Sequence, residues 1–282
     1  MTVNQSNHVE SFLRWAGSKR QLIPHLAQAA PPHFERYVEP FAGSACFFFY
    51  LRPKKAVLSD FNEHLIQSYL AVKKHPIKLA RSLTLFGTQV EDYYEIRRIF
   101  GDSSVMLERA AQFIYLNSYC FNGVYRTNLR GKFNVPRGSK TRGVPNETNL
   151  RRCSIVLRNA NVYCQDYKKT LRSCTDTDFI YLDPPYTKLG ARYRGEYGVG
   201  SFTSQDEQDL VSELRKLDQI GSHFLLSYRA SAAFIRLLDP NWHIQRIRVR
   251  RNVAGFSDAR RTAIEILVRN YDSCESLKRT NL

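Results

Sequence analysis

The sequence predicts an α/β protein, an open sheet interrupted by a basic module at residues 65–150. Three observations predict it. Short apolar, β-leaning runs recur at 37–38, 56–58, 161–164, 179–182 and 223–227, which is how buried strands of such a sheet read. Stretches with helical spacing separate them. Between the two groups of strands, residues 121–158 carry nine cations (Arg126, Arg130, Lys132, Arg137, Lys140, Arg142, Arg151, Arg152 and Arg158) against Glu147 alone.

Each element follows in order. Tyr37-Val38 is a strand that runs into Glu39-Pro40-Phe41-Ala42-Gly43-Ser44, and residues 45–51 then form an apolar helix. The next strand, 56–58, ends in Ser59-Asp60, an acid about twenty positions beyond the turn. That geometry seats a nucleoside on the turn with its ribose hydroxyls near the acid. A single Gly-Ser without a glycine series favours a nucleoside lacking a pyrophosphate. From 65 to 105 the pattern is helical, and 108–116 shows an apolar face at Ala110, Ala111, Phe113 and Ile114. The interspersed Gly, Pro and Asn of 121–158 read as hairpins and loops. Ser204 and Glu207 stand at capping-box spacing before a helix. Residues 242–249 alternate apolar and basic, with 263–268 as their hairpin partner. The glycines of 188–200 read as a mobile loop that orders over substrate.

The strand at 179–182 delivers the chain to Asp183-Pro184-Pro185-Tyr186. Ligands of open α/β sheets lie at the carboxyl ends of strands. Two prolines fix φ and donate no backbone hydrogen bond, so the loop is stiff. One carboxylate, proline carbonyls and one aromatic ring suit a planar heterocycle with an exocyclic amine, which the carbonyl and carboxylate accept from while the tyrosine stacks.

A formal charge of +16 on 282 residues favours polyanions, nucleic acid first. The longest dense apolar run, 45–51, is far too short to span a bilayer, and the polar start (Asn4, Gln5, Ser6, Asn7) shows no signal peptide. Six scattered cysteines include no C-x-x-C pair, so reduced thiols and no metal are expected. The expected setting is cytoplasmic, nucleoid-associated through DNA binding, with the protein a monomer in solution.

Taken together, these segments resemble the Dam-type (D12 class) DNA adenine-N6 methyltransferases, from Phe12 to about Asn270. The resemblance is carried by Phe12-Leu13-Arg14-Trp15-Ala16-Gly17-Ser18-Lys19, the Glu39–Ser44 turn, Leu58-Ser59-Asp60-Phe61-Asn62, Tyr115-Leu116-Asn117, Phe121-Asn122-Gly123-Val124-Tyr125-Arg126-Thr127-Asn128, Gly131-Lys132-Phe133-Asn134-Val135-Pro136 and the Asp-Pro-Pro-Tyr segment. Ser18 stands where the family usually has a second glycine. The resemblance implies a Rossmann-like methyltransferase sheet with an inserted, mostly helical target-recognition domain bearing a basic β-hairpin. The implied bounds are 1–64 and 151–272 for the catalytic parts, 65–150 for the insertion and 273–282 for a tail.

It further implies S-adenosylmethionine as cofactor, held by Trp15, Lys19, Glu39, Phe41, Gly43, Ser44, Asp60, Asp166, Tyr167 and Asp183. Asp183, Pro184, Pro185 and Tyr186 would be catalytic at a flipped adenine in double-stranded DNA. Phe121, Asn122, Val124, Arg126, Lys132, Arg137, Lys140 and Arg142 would meet the DNA. Relatives with this Asn-Gly-x-x-Arg arrangement commonly modify GATC, with Arg126 pairing to a guanine edge for about 1–3 kcal/mol of discrimination. Two other readings stay open: an RNA adenine-N6 methyltransferase, and a non-catalytic DNA-binding protein on the same scaffold.

Overall fold

The computed structural model describes residues 9–139, 141–186, 202–250 and 262–272. Among them the strands are β1 (Arg36–Glu39), β2 (Ala56–Asp60), β3 (Ala160–Cys164), β4 (Asp178–Leu182), β5 (His223–Arg229), β6 (His243–Arg250) and β7 (Thr262–Arg269). The helices are α1 (Ile23–Ala29), α2 (Cys46–Leu51), α3 (Glu63–Lys74), α4 (Pro76–Thr84), α5 (Val90–Ile99), α6 (Met106–Tyr119), α7 (Glu147–Leu157), α8 (Tyr167–Leu171), α9 (Ser204–Gln219) and α10 (Ala232–Ile235).

One seven-stranded sheet has the order β3-β2-β1-β4-β5-β7-β6. β1 to β5 pair in parallel, and β7 is antiparallel to both β5 and β6. Successive strand residues point to opposite faces: Phe179 and Tyr181 enter one core, Ile180 and Leu182 the other. The first core continues without a break through α3 to α7, so these helices and one face of the sheet are buried against each other. The order reverses between β1 and β4, and the crevice at their carboxyl ends is where such sheets bind ligands. The mixed α/β expectation and its strands are therefore present.

Two local expectations need correction. Residues 147–157 are a helix, not loop. Asn146 caps it by accepting from Asn149 N, Arg151 pairs with Glu147 at 2.7 Å, and Leu150, Cys153 and Leu157 are buried. The density of arginines hid that apolar spacing. The capping box of α9 lies one residue earlier than expected, at Thr203 and Asp206, because Glu207 is buried accepting from the Tyr228 hydroxyl at 2.9 Å. α6 is also longer than its predicted face. Every residue from Ala110 to Tyr119 is buried, so it is a central helix, enclosed on all sides. The expected glycine-rich loop at 188–200 lies outside the described residues.

Candidate active site

Elements that are remote in sequence meet at the β1/β4 crevice, around a cavity of about 640 Å³. Its floor is the turn after β1. Gly43 (φ +46°) and Ala45 (φ +45°) adopt the left-handed region, costly for alanine, and carry the chain sharply into α2. A Cβ on Gly43 would stand 2.9 Å from Trp15 Cδ1, so the indole packs directly on this turn. Asp60, at the end of β2, accepts from Gly43 N (3.1 Å) with one oxygen and from Asn62 N (3.0 Å) with the other. The Tyr69 hydroxyl donates to the Gly43 carbonyl at 2.8 Å. Ser44 Oγ donates to Ser18 Oγ at 3.0 Å, which gives the serine at that position a partner.

Asp183 leaves the end of β4 and meets Lys19 at 2.6 Å. Lys19 is 7% exposed and also donates to the Gly17 carbonyl at 3.1 Å. Glu265 of β7 lies 4.0 Å from the same ammonium, and the Tyr186 ring centroid 5.1 Å. Ser227 Oγ of β5 donates to Asp183 Oδ1 at 3.1 Å and lies 3.0 Å from the Tyr181 hydroxyl. Both neighbours therefore fall on Oδ1. No hydrogen bond from the described residues reaches Oδ2, and the side chain, 20% exposed, lines the cavity. Burial pushes the Asp183 carboxyl up while Lys19 and Ser227 pull it down; the net direction is upward. Burial alone would lower Lys19, but Asp183, Tyr186 and Glu265 outweigh it and hold it cationic. Burial likewise pushes Glu39 and Asp60 up. Glu39 accepts from the Tyr37 hydroxyl at 2.9 Å.

The far end of the cavity is aromatic. The Phe41 and Tyr167 rings lie 4.9 Å apart, and the buried Tyr167 hydroxyl has no hydrogen-bond partner among the described residues. Asp166 caps α8, accepting from Lys168 N. Phe61, 78% exposed, forms part of the wall beside Asp60. Among the described lining residues, Glu39, Asp60, Glu63, Asp166, Asp183 and Asp206 face Lys19 as the one lysine or arginine. An acidic pocket in a chain of charge +16 is suited by its charge to a cationic small molecule, and the basic balance of the chain to a polyanion.

The hairpin arms are joined by Thr127↔Phe133, and Cys120↔Arg137 pairs nearby. Arg126 is held against its partner arm, Nε donating to Asn134 Oδ1 at 2.8 Å. Phe121 is 40% exposed, Val124 half-buried, Lys132 and Arg142 exposed. Arg137 turns inward, donating to the Thr88 carbonyl and lying 5.7 Å from the Tyr119 ring centroid. Lys140 lies outside the described residues. Asn122 adopts a left-handed conformation (φ +55°), its Oδ1 3.5 Å from an Arg14 guanidinium nitrogen. The Trp15 indole stacks on Tyr125 at 6.2 Å, joining hairpin to cavity. Gly123 (φ +64°) closes this joint: a Cβ there would stand 2.3 Å from the Arg14 carbonyl oxygen. Gly123→Ala is expected to cost about 2–3 kcal/mol, read as a lowered urea midpoint; an unchanged midpoint would show that the joint yields.

Sequence reasoning missed Ser227, Tyr181, Glu265 and Phe61. The signal for Ser227 and Glu265 was a polar residue inside an apolar strand, at 223–228 and 263–268. The signal for Phe61 was an aromatic directly after the strand-end acid.

The sequence model of the family described as D12 class N6 adenine-specific DNA methyltransferase matches residues 15–253. Three relatives align over nearly their whole length. "Type II methyltransferase M.MjaIII" of Methanocaldococcus jannaschii is 32% identical over 93% of this chain and 99% of its own. "Type II methyltransferase M1.LlaDCHI" of Lactococcus lactis subsp. cremoris is 32% identical over 96% and 99%. "DNA adenine methylase" of Escherichia coli is 31% identical over 91% and 94%.

Proposed function

The chain belongs to the D12 class N6 adenine-specific DNA methyltransferases, and from that premise we propose that it moves a methyl group from S-adenosylmethionine to the N6 amine of an adenine flipped out of duplex GATC. The observation that carries this reading is the asymmetry of Asp183: Oδ1 is taken by Lys19 and Ser227, while Oδ2 takes no hydrogen bond from the described residues and the side chain lines the cavity. The cavity suits the donor in size. Its surplus carboxylates suit a sulfonium, Tyr167 offers an unspent hydroxyl, and Asp60 marks the ribose end. Trp15, Lys19, Glu39, Phe41, Gly43, Ser44 and Asp166 complete the group that would hold it. When bound, that cofactor supplies an electrophilic methyl, and the neutral thioether left after transfer is held less strongly by the acidic walls.

The adenine amine is a poor nucleophile because its lone pair is delocalised into the ring. Asp183 Oδ2 and the Pro184 carbonyl accept its two N–H groups and favour a pyramidal nitrogen. Pro185 keeps the loop stiff, and Tyr186 stacks on the base, whose extrusion costs a few kcal/mol. A C–N bond forms as the C–S bond breaks, and the amine then sheds its proton. Positioning and fixed charge carry the catalysis. Residues 65–150 form the target-recognition part. Phe121 fills the gap left by the base, Asn122 and Val124 lie beside it, Arg126 reads guanine, and Lys132, Lys140 and Arg142 serve phosphates, while Arg137 is engaged by the Thr88 carbonyl instead. Among the described residues no helix is long and apolar enough to cross a membrane. The test is to express the chain in cells lacking adenine methylation and sequence the modified sites. Methylated GATC is expected; marks at other adenines would refute the specificity, and label entering only ribosomal RNA would refute the substrate.

A further inference from the structure

We propose that Glu265 is a positioning residue of this reaction: as second counter-ion to Lys19, it keeps Asp183 a strong acceptor for the target amine. Glu265 is 4% exposed in the middle of the apolar run of β7, opposite Arg229 of β5 and Ile247 of β6. A buried carboxylate within the apolar run Ile264 to Val268 of that strand is costly without compensation. Its oxygen lies 4.0 Å from the Lys19 ammonium, on the same cation that meets Asp183 at 2.6 Å. Two carboxylates, one just past the end of β4 and one on β7, thus lie against one lysine. An isolated Lys19–Asp183 pair would drain the acceptor strength of Asp183 into the lysine. Glu265 offsets part of that pull, and its own charge raises the proton affinity of Asp183. Among the described residues the other groups facing Asp183 are Lys19, Ser227 of β5, Tyr181 of β4, Tyr186, Glu39 of β1 and Cys46 of α2. Only Lys19 among them is a cation, so against the fixed upward push of burial the pull of Lys19 and the opposing charge of Glu265 tune how basic Asp183 is.

The inference rests on Asp183 accepting the amine, and the experiment separates the two. Single-turnover rates of wild type, Glu265→Gln, Glu265→Asp and Asp183→Asn are measured across pH with a GATC duplex and methyl-labelled S-adenosylmethionine. Glu265→Gln is expected to turn over about tenfold more slowly, with its acid limb displaced to lower pH by about one unit. The sign follows from charge: without Glu265, Asp183 ionises more easily and stays ionised further into acid. Glu265→Asp keeps the charge and is expected to keep the wild-type acid limb. Cofactor affinity by calorimetry is expected to stay within about threefold in Glu265→Gln. A Glu265→Gln acid limb that coincides with wild type, a displaced one in Glu265→Asp, or lost cofactor binding would overturn the inference. If Glu265→Gln does not fold, the Glu265→Asp profile decides alone. An active Asp183→Asn overturns instead the reading on which the inference rests.

Discussion

Asp183→Asn is expected to lower the methyl-transfer rate by about a thousandfold, the scale of losing one preorganised polar partner of a reacting group, while duplex DNA still binds within a few fold. The amide has nearly the carboxylate's shape, so the effect lies in polarity. Lys19 and Ser227 both donate to Oδ1, and an amide turns its oxygen toward them. Its NH₂ then replaces Oδ2 at the cavity and meets the target amine donor to donor. The residues proposed to meet DNA, Phe121, Asn122, Val124, Arg126 and Lys132, lie beyond α6 on the hairpin segment, apart from this pair. Anisotropy with a GATC duplex and single-turnover transfer on the same preparation check the split. A rate within tenfold of wild type, or DNA affinity lost with the rate, would refute this role for Asp183.

Much of this arrangement was legible in the sequence because the information was local. The strands at 37–38, 56–58, 179–182 and 223–227 announce themselves through short β-leaning apolar runs, and a carboxylate between a strand and two prolines can go in few directions. What was not legible depends on which strands become neighbours. Glu265 and Lys19 are separated by most of the chain, and they meet because β7 turns antiparallel beside β5. A different pairing, the β4–β5 register, brings Ser227 to Asp183. The α7 helix was hidden for a different reason. Its arginines on the solvent side outweighed Leu150, Cys153 and Leu157 in composition, though not in burial. Arg137 shows the converse: a cation in a basic stretch whose guanidinium is already engaged by the Thr88 carbonyl.

Lys19→Met is expected to destabilise the fold by about 3–5 kcal/mol, because it removes one partner of a buried ion pair and leaves Asp183 and Glu265 without their shared cation. Removing the orphaned charge should reverse much of the loss, so Lys19→Met combined with Asp183→Asn is expected to be more stable than Lys19→Met alone. The pH dependence has a definite sign. Burial already pushes Asp183 above its ordinary value, and Lys19 is the main group pulling it back. In Lys19→Met its folded pKa rises further above the unfolded value of about 3.9. A carboxyl raised on folding favours the folded state when protonated. The deficit is therefore smallest below the unfolded pKa and grows as pH climbs through the folded one. Urea unfolding of the four proteins of this cycle at pH 5 and pH 7.5 measures both effects. A double variant no more stable than Lys19→Met, or a deficit that shrinks toward alkaline pH, would show that Lys19 supports the fold through packing rather than through the charge it places between Asp183 and Glu265.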